Sequence, residues 1–162
     1  MKRWVVDTSP LLFLAKLNRL SLLQHDADEI LIPKAVLEEV NFLQDEASQL
    51  IKQVASSWLI VQEVTNLYAL TMALADLDRG EAEVIALAQE VEAERVVLDD
   101  LDARRFARRV GYPSIGTLGL LLAGKLRGEI GSLKDEIERL QDHGFWASQS
   151  LVEAVLKAAG EQ

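Results

Sequence analysis

Carboxylates fall at two points where short apolar strands are predicted to end. Asp7 comes directly after Trp4-Val5-Val6, and Asp99 and Asp100 come directly after Val96-Val97-Leu98. In an open parallel sheet, ligands bind beyond the carboxyl ends of the strands. Carboxylate oxygens are the ligands that hard divalent cations such as Mg²⁺ prefer. The spacing therefore predicts a cation site at one edge of a sheet, provided that the two strands lie close together.

Two glutamates on predicted helices can complete such a site. In the helix after Pro33, Glu39 borders the apolar stripe, whereas Glu38 points almost opposite, into solvent. Glu81 lies in the first turn of a later helix, where the helix dipole favours a carboxylate. The candidate catalytic and metal-binding residues are therefore Asp7, Glu39, Glu81, Asp99 and Asp100.

Several of these acids also have a purely structural interpretation. Asp7 can serve only as a turn former or helix cap, and so can Asp99 and Asp100. Asp78 and Glu81 have the spacing of a capping box, with Asp in place of the usual Ser or Thr. The hypothesis of a functional site therefore rests on the joint pattern and not on any single residue.

Alternating strands and helices have to position these acids. An apolar helix is predicted over 11–20, with apolar residues on nearly all sides, and further helices separate short β-branched runs near residues 4–6, 30–32, 59–61, 96–98 and 114–115. This alternation is typical of a parallel sheet with helices on both faces, which makes the fold class α/β. We expect a single domain over residues 1–162, with the helices after about residue 131 packing on it.

Composition narrows the class of protein. The chain has no cysteine, so disulfides and thiolate metal sites are excluded and a cytoplasmic location is expected. No uninterrupted apolar stretch is long enough to span a membrane. The formal net charge of −9 argues against simple electrostatic binding of a nucleic-acid backbone. Clustered carboxylates that hold divalent cations would reverse the local field and remove that objection.

Five segments, taken in order, resemble the PIN-domain family, and within it the compact prokaryotic branch related to VapC-type toxin ribonucleases. The order of the segments carries the resemblance, because no single one is specific. They span about residues 3 to 125 and are Val5–Leu11, Ile32–Val40, Asp78–Ala88, Val97–Asp100 and Ile115–Leu121.

The resemblance implies a three-layer α/β/α sandwich around a central parallel sheet of four to five strands. It also implies Mg²⁺- or Mn²⁺-dependent cleavage of RNA, frequent homodimerisation and a cognate antitoxin protein. Carried over by position, Asp7 is the first acid, Glu39 the second and Glu81 the third, and the fourth falls on Asp99 or Asp100. Many PIN nucleases have Asp in the third position, so Glu81 leaves the number of metal ions open.

Two polar residues match supporting positions of the same family. Ser9 corresponds to a small polar residue beside the first acid, and Thr117 to a threonine whose hydroxyl supports the site. In the activity that the resemblance implies, the metal ions lower the pKa of an attacking water and stabilise charge on the leaving oxygen.

Arginines on the helix after Asp100 are candidates for binding the substrate. Arg104 and Arg108 share one face by their i,i+4 spacing, and guanidinium groups suit phosphates, so both are predicted to bind substrate together with Arg105. The alternative interpretation is that these arginines pair with the surplus acids of the chain or complement the helix C-terminus.

A rival to the enzyme hypothesis is a catalytically silent PIN-fold protein that binds RNA or another protein. All four acid positions are filled, which favours activity, whereas the glutamate in the third position and the acidic surface favour the rival. A partner surface could come from the apolar stretches 11–14 or 118–122, although such stripes are more often core.

Overall fold

Five parallel strands form one sheet in the computed structural model, which describes residues 1–161. The last residue of the domain expected over 1–162, Gln162, lies outside the described part. The strand order is β3-β2-β1-β4-β5, and every neighbouring pair is parallel. The strands are β1 (Arg3–Val6), β2 (Glu29–Pro33), β3 (Leu59–Gln62), β4 (Arg95–Val97) and β5 (Ser114–Ile115).

Helices connect these strands and cover both faces of the sheet, so the predicted α/β class and three-layer arrangement are confirmed. A short 3₁₀ helix follows the first of them at Leu20–Gln24. In chain order the α-helices within residues 1–161 are α1 (Thr8–Lys16), α2 (Lys34–Leu43), α3 (Glu46–Ala55), α4 (Leu67–Leu74), α5 (Arg79–Glu90), α6 (Leu101–Arg109), α7 (Thr117–Leu126), α8 (Leu133–Asp142) and α9 (Gln149–Ala158).

The central strand β1 is buried on both sides. Trp4, Val5 and Val6 are all buried, although their side chains point alternately to opposite faces of the sheet. A strand buried on both faces has an almost continuous apolar sequence and not an alternating one. This explains why the β-branched runs of the sequence locate the strands so well.

The order of the strands creates a crevice between β1 and β4. The chain moves outward from β1 through β2 to β3, and then returns to place β4 on the other side of β1. Val6 of β1 is in register with Val97 of β4, and the backbone N–H of Asp7 donates to the carbonyl of Val97 at 3.0 Å. The carboxyl ends of these two neighbouring strands therefore open at a switch point, where α/β proteins bind ligands.

The predicted boundaries of α1 are wrong at both ends. The helix begins at Thr8 because Asp7 has the extended backbone of an N-cap residue, and it ends at Lys16 because Asn18 adopts a left-handed conformation with φ of 57°. The helix is also less buried than predicted, since Phe13 and Lys16 are only half-buried. Their outward face is available to a site.

The two helices that carry candidate glutamates have well-defined ends. Pro33 is the last residue of β2 and the N-cap of α2, with ψ of 164°, so α2 begins at Lys34. Helix α5 ends at Glu90, because Glu92 has a φ of 54°. Glu39 and Glu81 therefore lie on the helices on which the sequence places them.

The apolar stretches considered as partner surfaces belong to the core. Leu11 and Leu14 of α1 are fully buried, as is Leu121 of α7. Helix α8 packs against α7, and α9 contacts both. No helix within residues 1–161 has the length and apolar character needed to cross a membrane.

Candidate functional site

A cavity of about 520 Å³ opens at the carboxyl ends of β1 and β4. We call it the acid cavity, because six carboxylates from several parts of the chain line it. Five of them are the candidates predicted from the sequence, and the sixth is the residue that caps α5. The six are Asp7, Glu39, Asp78, Glu81, Asp99 and Asp100.

Asp7 is the most deeply buried of these acids and is only 7% exposed. It follows β1 and caps α1, although its side chain makes no capping hydrogen bond of good geometry within residues 1–161. Burial raises the pKa of Asp7 to about 7; a backbone hydrogen bond from Thr8 opposes this rise, and the charges of Glu81 and Glu39 add to it. In the absence of a cation, the folded chain therefore keeps this carboxyl group protonated up to about neutral pH.

Glu39 reaches the acid cavity from α2, whereas its neighbour Glu38 does not line it. The approach depends on Gly80 in the first turn of α5. A Cβ at that position would overlap Oε1 of Glu39 and would lie 3.7 Å from Oδ1 of Asp7. A glycine therefore lets two carboxylates from different elements approach the same backbone.

Burial also raises the pKa of Glu39, and the charge of Asp78 adds to this rise, while the nearby Thr8 hydroxyl lowers it in part. The Thr8 hydroxyl oxygen is itself buried and makes no hydrogen bond of good geometry within residues 1–161. The cavity thus contains a buried hydroxyl that lies near the Glu39 carboxylate without a well-formed hydrogen bond, which is costly in a protein interior.

Glu81 belongs to a capping box and also lines the acid cavity, so both interpretations of this residue from the sequence apply. Oδ1 of Asp78 accepts from the backbone N–H of Glu81 at 2.9 Å, and Oε1 of Glu81 accepts from that of Asp78 at 3.3 Å, which completes a capping box. Burial raises the pKa of Glu81 to about 7, with the charges of Asp78 and Asp100 adding to it. Within residues 1–161, no hydrogen bond engages the second carboxylate oxygen of Glu81.

Asp99 and Asp100 have different surroundings. Asp99 accepts from the backbone N–H of Thr117 at 2.7 Å, from the Thr117 hydroxyl at 2.6 Å and from the Ser9 hydroxyl at 3.4 Å. Asp100 caps α6, where its Oδ2 accepts from the backbone N–H of Ala103 at 3.0 Å. Both supporting residues predicted from the sequence, Ser9 and Thr117, therefore act on Asp99.

A buried carboxylate that the sequence analysis did not single out ties α2 to α5. Glu83 accepts from the backbone N–H of Ala35 at 3.1 Å and from Nε of Arg79 at 2.6 Å. The first bond satisfies an N–H in the first turn of α2, which has no partner inside that helix. Glu83 thereby fixes the helix that carries Glu39 against the helix that carries Glu81.

Other residues of the cavity were also missed by the sequence analysis. Lys16 follows Ser9 by seven residues and therefore lies on the same face of α1, and its ammonium group sits 5.4 Å from the ring centre of Phe13. The ring of Phe13 meets that of Phe145 edge-on, with centroids 5.2 Å apart. Helical periodicity from Ser9 would have identified Lys16, whereas no local pattern indicates the contact between Phe13 and Phe145.

The three predicted substrate-binding arginines separate in the structure. Arg104 packs against Gly116 beside Asp99, in a groove next to the acid cavity. Arg108 lines a hollow that it shares with Arg104, whereas Arg105 is exposed and forms an ion pair with Asp102 at 3.5 Å. The geometry brings Arg104 and Arg108 together but leaves Arg105 outside these cavities.

The spacing of these side chains and their chemistry bear differently on metal binding. Within residues 1–161, no three acidic, histidine or cysteine side chains are gathered closely enough to hold a metal ion. The donor set nevertheless fits a hard divalent cation, because it consists of carboxylate oxygens whose charges raise one another's pKa values. The buried hydroxyl of Thr8 adds one more oxygen. A cation would neutralise the charge that now accumulates there.

The sheet order and the acid cavity define an α/β protein with a carboxylate-lined site at its switch point. A family model described as a PIN domain matches residues 3–161, so the chain belongs to the PIN-domain family. PIN domains are generally nucleases and typically use divalent metal ions. No curated protein matches the chain in sequence.

Proposed function

We propose that the protein is a metal-dependent endoribonuclease that cleaves RNA phosphodiesters. One observation carries this proposal: carboxylates from α2, from α5 and from the segments that follow β1 and β4 line a single cavity in a PIN domain. The pKa values of two of them, Asp7 and Glu81, are raised to about 7, and perturbed pKa values of this kind cluster at functional sites, which favours an enzyme over a scaffold that only binds partners.

In this proposal, Asp7, Glu39, Glu81 and Asp99 hold Mg²⁺ or Mn²⁺. The bound ion would supply an activated water at neutral pH and would stabilise charge on the oxygens of the phosphate. The chain itself positions the carboxylates. It fixes α2 against α5 through Glu83, and it leaves room for Glu39 at Gly80.

Asp99 is assigned as the fourth ligand, with Asp100 in a supporting role. Hydrogen bonds from Thr117 and Ser9 orient the carboxylate of Asp99, as outer-shell partners orient metal ligands in general. Asp100 uses one oxygen to cap α6 and contributes negative charge near Glu81.

Lys16 is the basic residue of the acid cavity. Its ammonium group would contact a non-bridging oxygen of the substrate phosphate, since the carboxylates alone would repel a phosphodiester. The cation–π contact with Phe13 holds the lysine side chain beside the cavity.

The biological role follows the toxin branch that the sequence segments resemble. We assign the protein as the toxin of a type II toxin–antitoxin pair, active in the cytoplasm as a homodimer and bound by a cognate antitoxin. The exposed apolar side chains of α4 support a partner surface, because Leu67, Tyr68 and Met72 lie in solvent on one short helix. Expression of the wild type without its antitoxin should arrest growth, and expression of Glu39→Gln should not.

Metal binding and cleavage can be tested together with a pair of neighbouring glutamates. Purified wild type, Glu39→Gln and Glu38→Gln are melted with Mn²⁺, Mg²⁺ or EDTA and are incubated with structured and unstructured RNA and DNA. Wild type and Glu38→Gln should gain thermal stability from Mn²⁺ and cut RNA, whereas Glu39→Gln should lose both properties. If none of the three proteins cuts RNA or is stabilised by any metal, the nuclease proposal fails. The alternative is then a catalytically silent PIN-fold protein that binds RNA or another protein.

A further inference from the structure

Trp146 is displayed beside the acid cavity with its side chain in solvent. The residue is 82% exposed, which is unusual for the largest aromatic side chain. Its neighbour Phe145 is anchored to α1 by the edge-on contact with Phe13. The indole is therefore attached to an anchored segment at the rim of the cavity, and burial against residues 1–161 does not account for its position.

Two further cavities extend from the acid cavity in sequence, and the first of them is also lined by Trp146. The first, which we call the Trp146 groove, has a volume of about 720 Å³. It shares Phe145 and Trp146 with the acid cavity, together with Asp99 and Asp100, and Arg104 lines it farther on. The acid cavity and the groove therefore meet along these four shared residues, one of which is Trp146.

The second cavity, which we call the arginine hollow, has a volume of about 440 Å³. Arg104, Arg108 and Tyr112 line it, and it shares Arg104 and Ser114 with the Trp146 groove. The three cavities thus adjoin one another from the carboxylates to two guanidinium groups, and the indole lines the first two of them.

Two arginines of these cavities form no ion pair within residues 1–161. Nε of Arg104 donates to the hydroxyl of Ser114 at 3.2 Å, and within residues 1–161 neither Arg104 nor Arg108 has a carboxylate partner within 4.0 Å. By contrast, Arg105 pairs with Asp102, and Arg109 pairs with Asp76 at 3.9 Å. In a chain with a net charge of −9, two guanidinium groups that form no ion pair with residues 1–161 and line adjoining cavities suit an anionic ligand.

We propose that Trp146 stacks against an unpaired nucleobase next to the scissile phosphate, and that Arg104 and Arg108 bind the backbone phosphates that follow. The inference deepens the proposed function, on which it rests, by assigning a subsite and its direction from the acid cavity. Aromatic stacking needs a base that is free of its neighbours, and guanidinium groups bind phosphates without regard to sequence. The subsite therefore selects single-stranded segments by stacking and not by base identity.

An abasic strand separates stacking from every other contribution. The binding of a labelled single-stranded RNA, and of the same strand with abasic sites, is measured by fluorescence anisotropy in EDTA, which prevents cleavage. Removing the bases should weaken binding to the wild type about tenfold, which is typical for the loss of one or two stacked bases. The same removal should make little difference to Trp146→Ala, and Trp146→Phe should restore most of the discrimination.

A second variant, at a site far from the acid cavity, tests whether the loss of any exposed aromatic side chain would weaken binding in the same way. Tyr68→Ala removes a comparably exposed ring from α4 and should retain the full tenfold discrimination between normal and abasic strands. If Trp146→Ala discriminates between the two strands as well as the wild type does, the stacking proposal is overturned, and the groove is better explained as a surface for a protein partner.

The arginines have a matched control on their own helix. Arg108→Gln should weaken binding several-fold and reduce the slope of log Kd against log salt by about 1, because one phosphate contact is lost. Arg105→Gln removes the same charge from a position outside the three cavities and should leave the slope nearly unchanged. Equal effects of the two substitutions would contradict a defined path for the strand.

These binding measurements remain informative if the protein does not cleave RNA. If the wild type cleaves no RNA but Trp146→Ala still abolishes the discrimination between normal and abasic strands, the proposed nuclease function is overturned and the subsite is supported. If the wild type cleaves RNA and Trp146→Ala changes neither KM nor kcat, the nuclease function is supported and the subsite is overturned. If both proposals hold, Trp146→Ala should raise KM about tenfold with a much smaller effect on kcat, because stacking positions the strand and does not act on the reacting atoms.

Discussion

Thr117 binds both oxygens of the Asp99 carboxylate, with its backbone N–H on Oδ1 at 2.7 Å and its hydroxyl on Oδ2 at 2.6 Å. Thr117 is fully buried and is the first residue of α7, so the partial positive charge of a helix N-terminus also faces the carboxylate. This two-point contact fixes the orientation of Asp99 at the edge of the acid cavity.

Removing the Thr117 hydroxyl should therefore reduce activity through Asp99. Thr117→Val loses one hydrogen bond to a charged group, which is worth about 1.5–3 kcal/mol, and RNA cleavage should fall by about tenfold or more. Thr117→Ser retains the hydroxyl and should stay within about threefold of the wild type. Steady-state cleavage rates in Mn²⁺ test the pair, and equal activity of Thr117→Val and wild type would contradict the role assigned to the hydroxyl.

Asp99 and Asp100 should respond differently to the same substitution. Asp99→Asn should abolish cleavage and the stabilisation by Mn²⁺, because an amide is a weaker ligand for a hard cation and mismatches the donors from Thr117. Asp100→Asn should keep most of both properties, since asparagine caps a helix about as well as aspartate. If Asp100→Asn loses cleavage and stabilisation by Mn²⁺ while Asp99→Asn keeps them, the ligand is Asp100 and not Asp99.

Gly80→Ala should separate activity from stability. The added Cβ would overlap Oε1 of Glu39, which is the free end of a flexible side chain and can move away at little cost. Alanine also favours the helix over glycine by about 1 kcal/mol, so the free energy of unfolding should change little or increase. Cleavage should fall at least tenfold because Glu39 is displaced.

The matched control for Gly80→Ala is Gly131→Ala, where a Cβ would meet no atom within 4 Å. Denaturant unfolding and cleavage rates are measured on both variants. A Gly80→Ala protein that cleaves RNA as fast as the wild type would show that the close approach of Glu39 to α5 is unimportant for activity.

The buried carboxylate of Asp7 should make the metal-free protein less stable as the pH rises. Its pKa is about 7 in the folded protein against 3.8 for an ordinary aspartate, so between these values the folded state holds a proton that the unfolded chain has released. Stability from this group is complete below about pH 4 and is lost as the pH rises through about 7. The loss is on the order of 1–4 kcal/mol.

Asp7→Asn cannot ionise and should escape this loss. In EDTA the variant should therefore have a higher Tm than the wild type at pH 8, and the difference should shrink or vanish at pH 4.5. Asp102→Asn, at an exposed position of α6, serves as the control and should show no such dependence. A difference in Tm between Asp7→Asn and wild type that is independent of pH would contradict a raised pKa at Asp7.

Much of the fold could be predicted from the sequence because its strands are buried on both faces. The continuous apolar runs of β1 and β2 mark the strands, and the sheet edge follows from where those runs end. Asp7, Asp99 and Glu39 could be assigned to that edge for the same reason, since strand ends and helix periodicity are local properties.

The remaining features of the site depend on contacts between distant parts of the chain. Asp99 and Asp100 are adjacent in sequence, and only the contact with Thr117 from the start of α7 distinguishes them. The close packing of Glu39 on Gly80 and the position of Trp146 beside Asp99 likewise bring together segments that no local pattern relates. Arg105 and Arg108 also look equivalent until the cavities around α6 are known.

Cleavage of RNA by the wild type and by Asp7→Asn, with and without Mn²⁺, tests the central claim most directly. Asn is close to Asp in shape, and the pH argument predicts a variant at least as stable as the wild type in EDTA at pH 8. We predict that the wild type cuts RNA only with Mn²⁺ or Mg²⁺, and that the folded Asp7→Asn protein does not cut. Cleavage by the wild type in EDTA, or equal cleavage by the folded variant, would contradict a carboxylate-held metal site at Asp7.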